Sequence, residues 1–132
     1  MNSVTGDVVV TGRSNTGLSY DVLTVLYDTN GVGLWGNLHD GGNYDMGYRV
    51  ELNPATGDVY VGGSTNNGSN NDYLALKYDY SLGFPQWVQF YDNGGGEALN
   101  SLALDSLGSM VVTGWSENLT PNRDYTTNNF GP

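Results

Sequence analysis

The sequence predicts an all-β fold made of antiparallel sheets, and three observations lead to that prediction. A seven-residue phrase occurs three times, as GDVVVTG, GDVYVGG and GSMVVTG, and its first residues, Gly6, Gly57 and Gly108, are spaced 51 residues apart. Short runs rich in Val, Leu, Thr, Tyr and Trp alternate with clusters of Gly, Asn, Asp and Pro. The runs are roughly 8–15 residues apart, which is too close for the crossover helices that parallel strands require.

The repeat extends well beyond the seven-residue phrase. DVLTVLYD at 21–28 aligns with DYLALKYD at 72–79, and Trp35 aligns with Trp87 after one extra residue in the second copy. A compensating one-residue difference between the turn-like segments 53–56 and 105–107 restores the period. Insertions confined to turns are what a structural repeat tolerates, so we interpret the period as one structural unit.

Each repeat contains four strand signals, which we label A to D in chain order. They are bounded by Gly, Asn, Asp or Pro and are rich in β-forming residues. The predicted strands are A at 48–52 and 101–104, B at 8–11, 59–61 and 110–113, C at 22–27 and 73–78, and D at 34–38 and 86–91.

Both faces of the predicted strands are apolar or small. In the first strand C, Leu23, Val25 and Tyr27 share one face, while Val22 and its alternate neighbours Thr24 and Leu26 share the other. In a sheet with one solvent-exposed face, apolar and polar residues alternate regularly along each strand. These strands lack that alternation, so the sheets are expected to be covered on both faces. Four antiparallel strands, a period near 50 and two buried faces predict propeller-type blades, roughly 2.5 in this chain.

These phrases resemble those of the bacterial and archaeal β-propeller repeat family, the SBBP-type repeats of seven-bladed propellers. The resemblance is carried by GDVYVGG at 57–63, DYLALKYD at 72–79 and the tryptophan that opens strand D, and residues 6–115 follow the family rhythm. The third copy departs from it, because DYTT at 124–127 begins strand C but NNFGP at 128–132 loses the pattern. The resemblance implies a scaffold outside the cell or at the cell surface, without naming a ligand.

We expect residues 1–132 to form a single repeat domain, with a partial blade at 1–47, a complete blade at 48–98 and a partial blade at 99–132. Four blades of this length would need about 204 residues, so one chain cannot close such a ring. Three interpretations stay open: a fragment of a longer propeller, a propeller completed by several chains, or an open stack of sheets. The first blade is expected to lack strand A, so self-association or strand completion by another chain is the expected partner interaction.

Composition narrows the classes of partner. The chain has 14 acidic and 4 basic residues, a net charge of -10, and no cysteine. This charge disfavours nucleic acid and anionic lipid, whereas cations, carbohydrate and basic proteins remain compatible with it. No apolar run approaches the roughly 18 residues that span a membrane, so we expect no membrane insertion. Residues 1–10 show neither a basic region nor the apolar core of a signal peptide.

The variable B–C loops, at 13–20, 64–71 and 115–123, are the expected binding surface, because loops on a rigid scaffold commonly carry binding. Trp115 stands where the other copies have Arg13 and Ser64, so its indole is a candidate for stacking on a sugar or a partner. The alternative is that Trp115 packs against a neighbouring blade. The candidate ligand-binding residues are Trp115, Arg13, Asn67 and Asn118.

Neither the histidine nor the recurring aspartates predict catalysis. His39 is matched by Tyr91 in the second copy, which favours a structural or exposed role, and no catalytic residue is predicted. Aspartates recur at Asp7 and Asp58, Asp21 and Asp72, Asp28 and Asp79, and Asp40 and Asp92. Aspartate beside Gly or Asn in turns usually caps backbone N–H groups, so we expect no metal site or cofactor. Calcium bound by loop carboxylates is the alternative.

The functional hypothesis is a non-catalytic extracellular or cell-surface repeat segment that acts as a binding or assembly scaffold. One alternative is an oligomeric, lectin-like propeller that binds carbohydrate. Another is a fragment of a larger propeller-containing hydrolase or lyase, in which the active site is built elsewhere. A fold of this class supports many functions, so the choice depends on the sites that the structure builds.

Overall fold

The protein is all-β, as the sequence predicts. The computed structural model describes residues 1–2, 5–117 and 122–131, and these residues form ten strands and no helix. Among them, no helix is long and apolar enough to cross a membrane. The strands are β1 (Val8–Asn15), β2 (Tyr20–Tyr27), β3 (Gly33–His39), β4 (Asp45–Leu52), β5 (Val59–Asn66), β6 (Asn71–Tyr78), β7 (Pro85–Tyr91), β8 (Glu97–Leu104), β9 (Met110–Glu117) and β10 (Arg123–Phe130).

The strands form three open antiparallel sheets in chain order. Sheet 1 has the order β1-β2-β3, sheet 2 the order β4-β5-β6-β7, and sheet 3 the order β10-β9-β8. Consecutive strands within each sheet are joined as hairpins, and the predicted strands A to D of the complete repeat are the four strands of sheet 2. Blade-like antiparallel sheets are therefore confirmed, with three, four and three strands.

Strands A and B are longer than predicted. β4 begins at Asp45 rather than at residue 48, and β5 continues to Asn66 rather than ending at residue 61. The predicted strand B ends before Gly62, but Gly63 lies inside β5, where a Cβ atom would come 2.0 Å from the Met46 carbonyl oxygen. Only glycine fits at this position, because the β4 backbone passes close to Gly63 next to a bulge in β4.

The third strand C is complete, which corrects the expectation that its pattern is lost after residue 127. β10 pairs with β9 from Arg123↔Glu117 to Phe130↔Met110 without a register shift. Its asparagines are weak strand formers, but backbone pairing with β9 and burial of Phe130 against sheet 2 override that preference.

The hydrophobic core consists of two layers, one on each side of sheet 2. The first joins Val9, Val22 and Leu26 of sheet 1 to residues of β5 and β6, including Leu74. The second joins the opposite face of sheet 2, including Tyr60 and Tyr73, to Leu102 and Met110 of sheet 3. Burial on both faces therefore holds for sheet 2, whereas sheets 1 and 3 each bury one face in the described chain.

Polar contacts fasten sheet 1 to sheet 2 beside the first layer. The Trp35 indole N–H donates to the Tyr80 carbonyl oxygen at 2.7 Å, and the Asn37 amide donates to the Gly83 carbonyl oxygen at 3.1 Å. The Tyr80 hydroxyl donates to the Asp7 carboxylate. These contacts hold the middle of β3 and the residue before β1 against the turn between β6 and β7, so the two sheets stack in a defined register.

Candidate functional site

Two clusters of three acidic side chains lie where one sheet passes to the next. We call Asp21, Asp40 and Asp45 the first acid cluster, in which one carboxylate oxygen of each residue lies within 4.8 Å of the others. The second acid cluster, Asp72, Asp92 and Glu97, meets the same distance limit. Each cluster brings together acids from two consecutive sheets.

The two clusters occupy equivalent positions in the repeat. The first acid lies near the beginning of a C strand, the second follows the end of a D strand, and the third begins the A strand of the next sheet. The antiparallel hairpins bring the start of C and the end of D to one edge of the stack, and the short D–A connection places the next A strand there. The fold therefore builds the same acidic site twice.

The first acid cluster is centred on Asp45, whose side chain is fully buried. Its Oδ2 accepts a hydrogen bond from the Gly41 backbone N–H at 2.6 Å, while its buried Oδ1 has no donor among the described residues. Asp21 is also buried and accepts a hydrogen bond from Ser19 Oγ at 2.8 Å. Asp40 is exposed and accepts one from the Gly42 backbone N–H at 2.8 Å. The cluster thus joins two buried carboxylates to one at the surface.

The second acid cluster repeats this arrangement around Glu97, which is 1% exposed. Its Oε1 accepts a hydrogen bond from Ser116 Oγ at 2.8 Å, while its buried Oε2 has no donor within the described part of the chain. Asp72 is buried and accepts a hydrogen bond from the Asn67 side-chain amide at 3.0 Å. Asp92 is exposed and accepts one from a turn backbone N–H at 2.6 Å.

The electrostatics of the second cluster disfavour three ionised carboxylates. Burial raises the pKa of Glu97, and repulsion by Asp72 and Asp92 adds to the rise, against hydrogen bonds from Ser116 and the Asn93 backbone that lower it. Burial and then repulsion by Asp92 raise the pKa of Asp72. Three like charges this close therefore favour either a bound proton or a bound cation.

No basic side chain neutralises either cluster within the described residues. The two ion pairs there join Lys77 to Asp58 at 3.5 Å and Arg123 to Glu117 at 2.9 Å. Neither pair includes a member of an acid cluster, so the negative charge of both clusters is uncompensated by Lys or Arg.

A cleft of about 370 Å³ lies between the two clusters. Asp72 and Asp92 of the second cluster line it directly. Its opposite side is lined by Gly41 and Thr65. The Gly41 backbone N–H donates the hydrogen bond to Asp45 of the first cluster. The remaining lining residues are Asn43, Asn66, Asn67 and Phe90. The cleft gives water and small solutes a path to Asp72 and Asp92 of the second cluster.

Among the predicted ligand-binding residues, Asn67 lies in this cleft, where its amide donates to Asp72. The Arg13 guanidinium lies 4.6 Å from the Tyr20 ring centroid and donates to Met46 Sδ at 3.4 Å, so this exposed side chain contacts both of the first two sheets. The Trp115 ring is covered by the Arg123 guanidinium, 4.0 Å from its centroid. Asn118 lies outside the described residues, so the structure gathers no common site from these four.

The turn-capping interpretation of the aspartates is correct for Asp28 and Asp79. The Val32 backbone N–H donates to Asp28 Oδ1 at 2.8 Å, and this bond, with others from the same turn, lowers the pKa of Asp28. Asp79 likewise accepts a hydrogen bond from the Leu82 backbone N–H at 2.8 Å. His39 lies opposite Val22 in sheet 1, with a buried Nε2 that has no partner among the described residues.

Sequence reasoning missed Asp45 and Glu97, the buried centres of the two clusters. One copy has Asp and the other Glu, and the insertion before strand D displaces them by 52 residues instead of 51. Asp40 and Asp92 are also 52 residues apart. Aligning the segments that follow them with the same spacing places Asp45 opposite Glu97. The sequence matches no protein-family model and no curated protein.

Proposed function

We propose that this protein is an assembly scaffold of propeller-type sheets, whose copies associate head to tail by stacking their terminal sheets. The resemblance of its repeats to SBBP-type repeats favours a place outside the cell or at the cell surface. The proposal rests on one observation, an apolar face of sheet 1 that has no covering sheet in the described chain.

The uncovered face of sheet 1 is aliphatic. Val8, Val10 and Leu23 on this face are 40%, 44% and 36% exposed. Val8 and Val10 are alternate residues of β1 and therefore share a face. Val10 pairs with Val25 of β2, and Leu23 lies two residues before Val25, on the same face. The same face continues in β3 with Leu38, which pairs with Leu23 and is 47% exposed. A contiguous apolar face of this kind marks an interaction surface.

The equivalent face of sheet 2 shows what covers such a surface. Val59, Val61 and Leu74 occupy the positions of Val8, Val10 and Leu23 one repeat later, and all three are 0% exposed. They are covered by the Val9, Val22 and Leu26 side of sheet 1. The contact between sheets 1 and 2 is therefore the internal template for a contact between two copies.

At the other end of the stack, the outward face of sheet 3 is the repeat equivalent of the Val9 side of sheet 1, which covers sheet 2. Met110 and Val112 face sheet 2, so the alternate residues Val111, Thr113 and Trp115 of β9 face away from it. Val111 takes the place of Val9 two repeats earlier. Beside Trp115 lies Tyr125, which is 78% exposed. Trp115 would thus contact a partner copy, in line with its interpretation as a partner-stacking residue.

Stacking sheet 3 of one copy on sheet 1 of the next repeats the internal contact. Such an interface uses different surfaces on the two partners, so it generates closed rings when the rotation closes and filaments when it does not. Burying apolar area at about 25 cal/mol per Å² provides the driving force, opposed by the entropy of association.

Size-exclusion chromatography with light scattering tests the proposal over protein concentrations of about 5–200 µM, because association follows mass action. We expect the mean mass to rise above that of the 14.2 kDa chain as concentration increases. Val10→Asp places a charge in the uncovered face and should return the protein to monomer. Leu82→Asp is the control, since Leu82 is 63% exposed in the turn between β6 and β7, away from that face.

Two results would overturn this proposal. The first is a wild-type chain that stays monomeric across the whole range while its circular dichroism shows folded β-structure. The second is a Val10→Asp variant that associates as strongly as the wild type and the Leu82→Asp control.

A further inference from the structure

We infer that each acid cluster is a binding site for a divalent cation of the calcium class. The sites would hold one ion at each passage from one sheet to the next, two per chain. This inference is independent of head-to-tail association, because both clusters are complete within one chain.

The unpartnered buried oxygens distinguish these clusters from ordinary acidic surface. Asp45 Oδ1 and Glu97 Oε2 are covered from solvent and accept no hydrogen bond from the described residues. Native proteins rarely leave a buried polar atom without a partner, because the hydrogen bonds it makes with water in the unfolded chain are then not replaced. One carboxylate oxygen is unpartnered at the equivalent repeat position in both sheet junctions, so both clusters offer an acceptor to the same kind of ligand.

The other oxygen of each buried carboxylate is already held. Gly41 N–H binds Asp45 Oδ2 at 2.6 Å, and Ser116 Oγ binds Glu97 Oε1 at 2.8 Å. These bonds orient the carboxylates while leaving one oxygen of each available as a ligand. Orientation of ligands by neighbouring hydrogen bonds is typical of metal sites.

The donor set suits calcium. Each of the three carboxylates offers one oxygen within 4.8 Å of the others, and calcium, which takes 6–8 oxygens in flexible geometry, accepts further ligands from water. The clusters contain no histidine or cysteine, which transition metals prefer. Asp72 and Asp92 line the open cleft, so water could complete the coordination of an ion in the second cluster.

The alternative occupant is a proton shared between the carboxylates. The raised pKa of Glu97 and of Asp72 is compatible with it, since burial and like charge favour the neutral acid. The two occupants have different consequences. A cation would be favoured at neutral pH, where the carboxylates are available as ligands, whereas a proton would be lost there.

Isothermal titration of the full chain with calcium chloride, after removal of bound metal with a chelator, tests the inference. We expect two sites per chain and a rise in the thermal midpoint, because a ligand that binds the folded state stabilises it. Magnesium chloride is the second probe, and we expect it to bind at least about tenfold more weakly because it demands stricter octahedral geometry.

Single substitutions of the exposed acids assign the two sites. Asp40→Asn and Asp92→Asn should each reduce the stoichiometry from two to one, and their exposed side chains make loss of folding a minor concern. Glu97→Gln should remove the second site as well. The matched control is Asp124→Asn. Asp124 occupies the same position of its C strand as Asp72, since it pairs with Ser116 of strand B as Asp72 pairs with Thr65. It belongs to neither acid cluster. The control should retain two sites.

Three outcomes would overturn the inference. One is the absence of both binding heat and a thermal shift at about 10 mM calcium, far above the range of extracellular calcium modules. Another is a pair of exposed-acid variants that still bind two ions. The third is a thermal midpoint that rises from pH 7 to pH 5 while calcium leaves it unchanged, which would identify a proton as the occupant.

Discussion

Sheets 1 and 2 share the same sequence pattern but occupy different environments. Val10 and Leu23 in sheet 1 are 44% and 36% exposed, whereas their equivalents Val61 and Leu74 in sheet 2 are 0% exposed. The two sheets have the same strand order through B, C and D. The difference lies in their neighbours, since sheet 2 is covered on both faces and sheet 1 on one.

This comparison shows that a repeat of this kind is stabilised through its contacts with the adjacent repeats. One repeat supplies two apolar faces, and the energy of burying each face is gained only when another sheet lies on it. Identical residues should therefore contribute very differently to stability in the two sheets, and paired substitutions at equivalent positions measure that difference.

The largest expected effect is that of Leu74→Ala against Leu23→Ala. Leu74 is fully buried in the layer between sheets 1 and 2, so its truncation should leave a cavity and lower the free energy of unfolding by about 2–5 kcal/mol. Leu23→Ala should cost less than about 1 kcal/mol in the monomer. Urea unfolding at low protein concentration measures both, and equal losses would contradict the role assigned to the covering sheet.

The second pair is Gly63→Ala and Gly12→Ala, at equivalent positions of β5 and β1. A Cβ at Gly63 would lie 2.0 Å from the Met46 carbonyl oxygen, whereas nothing lies within 4 Å of a Cβ at Gly12. Gly63→Ala must displace the backbone of β4 and should cost about 3 kcal/mol. Gly12→Ala should be neutral or slightly stabilising, by up to about 1 kcal/mol. Thermal unfolding of the two variants checks this prediction, and a destabilised Gly12→Ala would show that β1 has an unseen close neighbour.

The smallest effect concerns alkaline pH. Burial raises the pKa of Tyr78 to about 12, above the value near 10 of an exposed tyrosine. The neutral phenol is favoured in the folded state, so this contribution is complete below pH 10 and is lost as pH rises toward 12. We expect the free energy of unfolding to fall by up to about 2 kcal/mol through Tyr78 in that window.

Tyr78→Phe provides the test of this pH dependence. The variant should show a shallower fall between pH 10 and 12, measured by urea unfolding at each pH. A variant that falls as steeply as the wild type would contradict the assignment to Tyr78.

The sequence predicted the centres of the strands better than their ends. Every predicted strand forms, because Val, Leu, Tyr and Trp alternate locally with turn residues, and this pattern needs no knowledge of the rest of the chain. The ends were missed where tertiary contacts decide them. Gly63 belongs to a strand because β4 passes close to it, and β10 forms because β9 pairs with it.

The candidate site was predicted only in part. Asp21, Asp40, Asp72 and Asp92 were recognised as recurring acids with a calcium alternative, and the structure brings them together in two clusters. The buried members Asp45 and Glu97 were missed, because their burial depends on strands contributed by two sheets. Of the predicted loop residues, Asn67 lies at the cleft between the clusters, while Arg13 and Trp115 have other contacts.

The sequence by itself determined the period, the antiparallel all-β class and the two faces of each strand. These properties follow from alternation and turn chemistry, which act over a few residues. The tertiary structure decided which of the equivalent faces are covered and which acids meet. Both depend on contacts between residues that are tens of positions apart, such as Val9 with the face of sheet 2 or Asp72 with Glu97. Repeated segments carry the same local signals, so their differences in burial come from their neighbours in space.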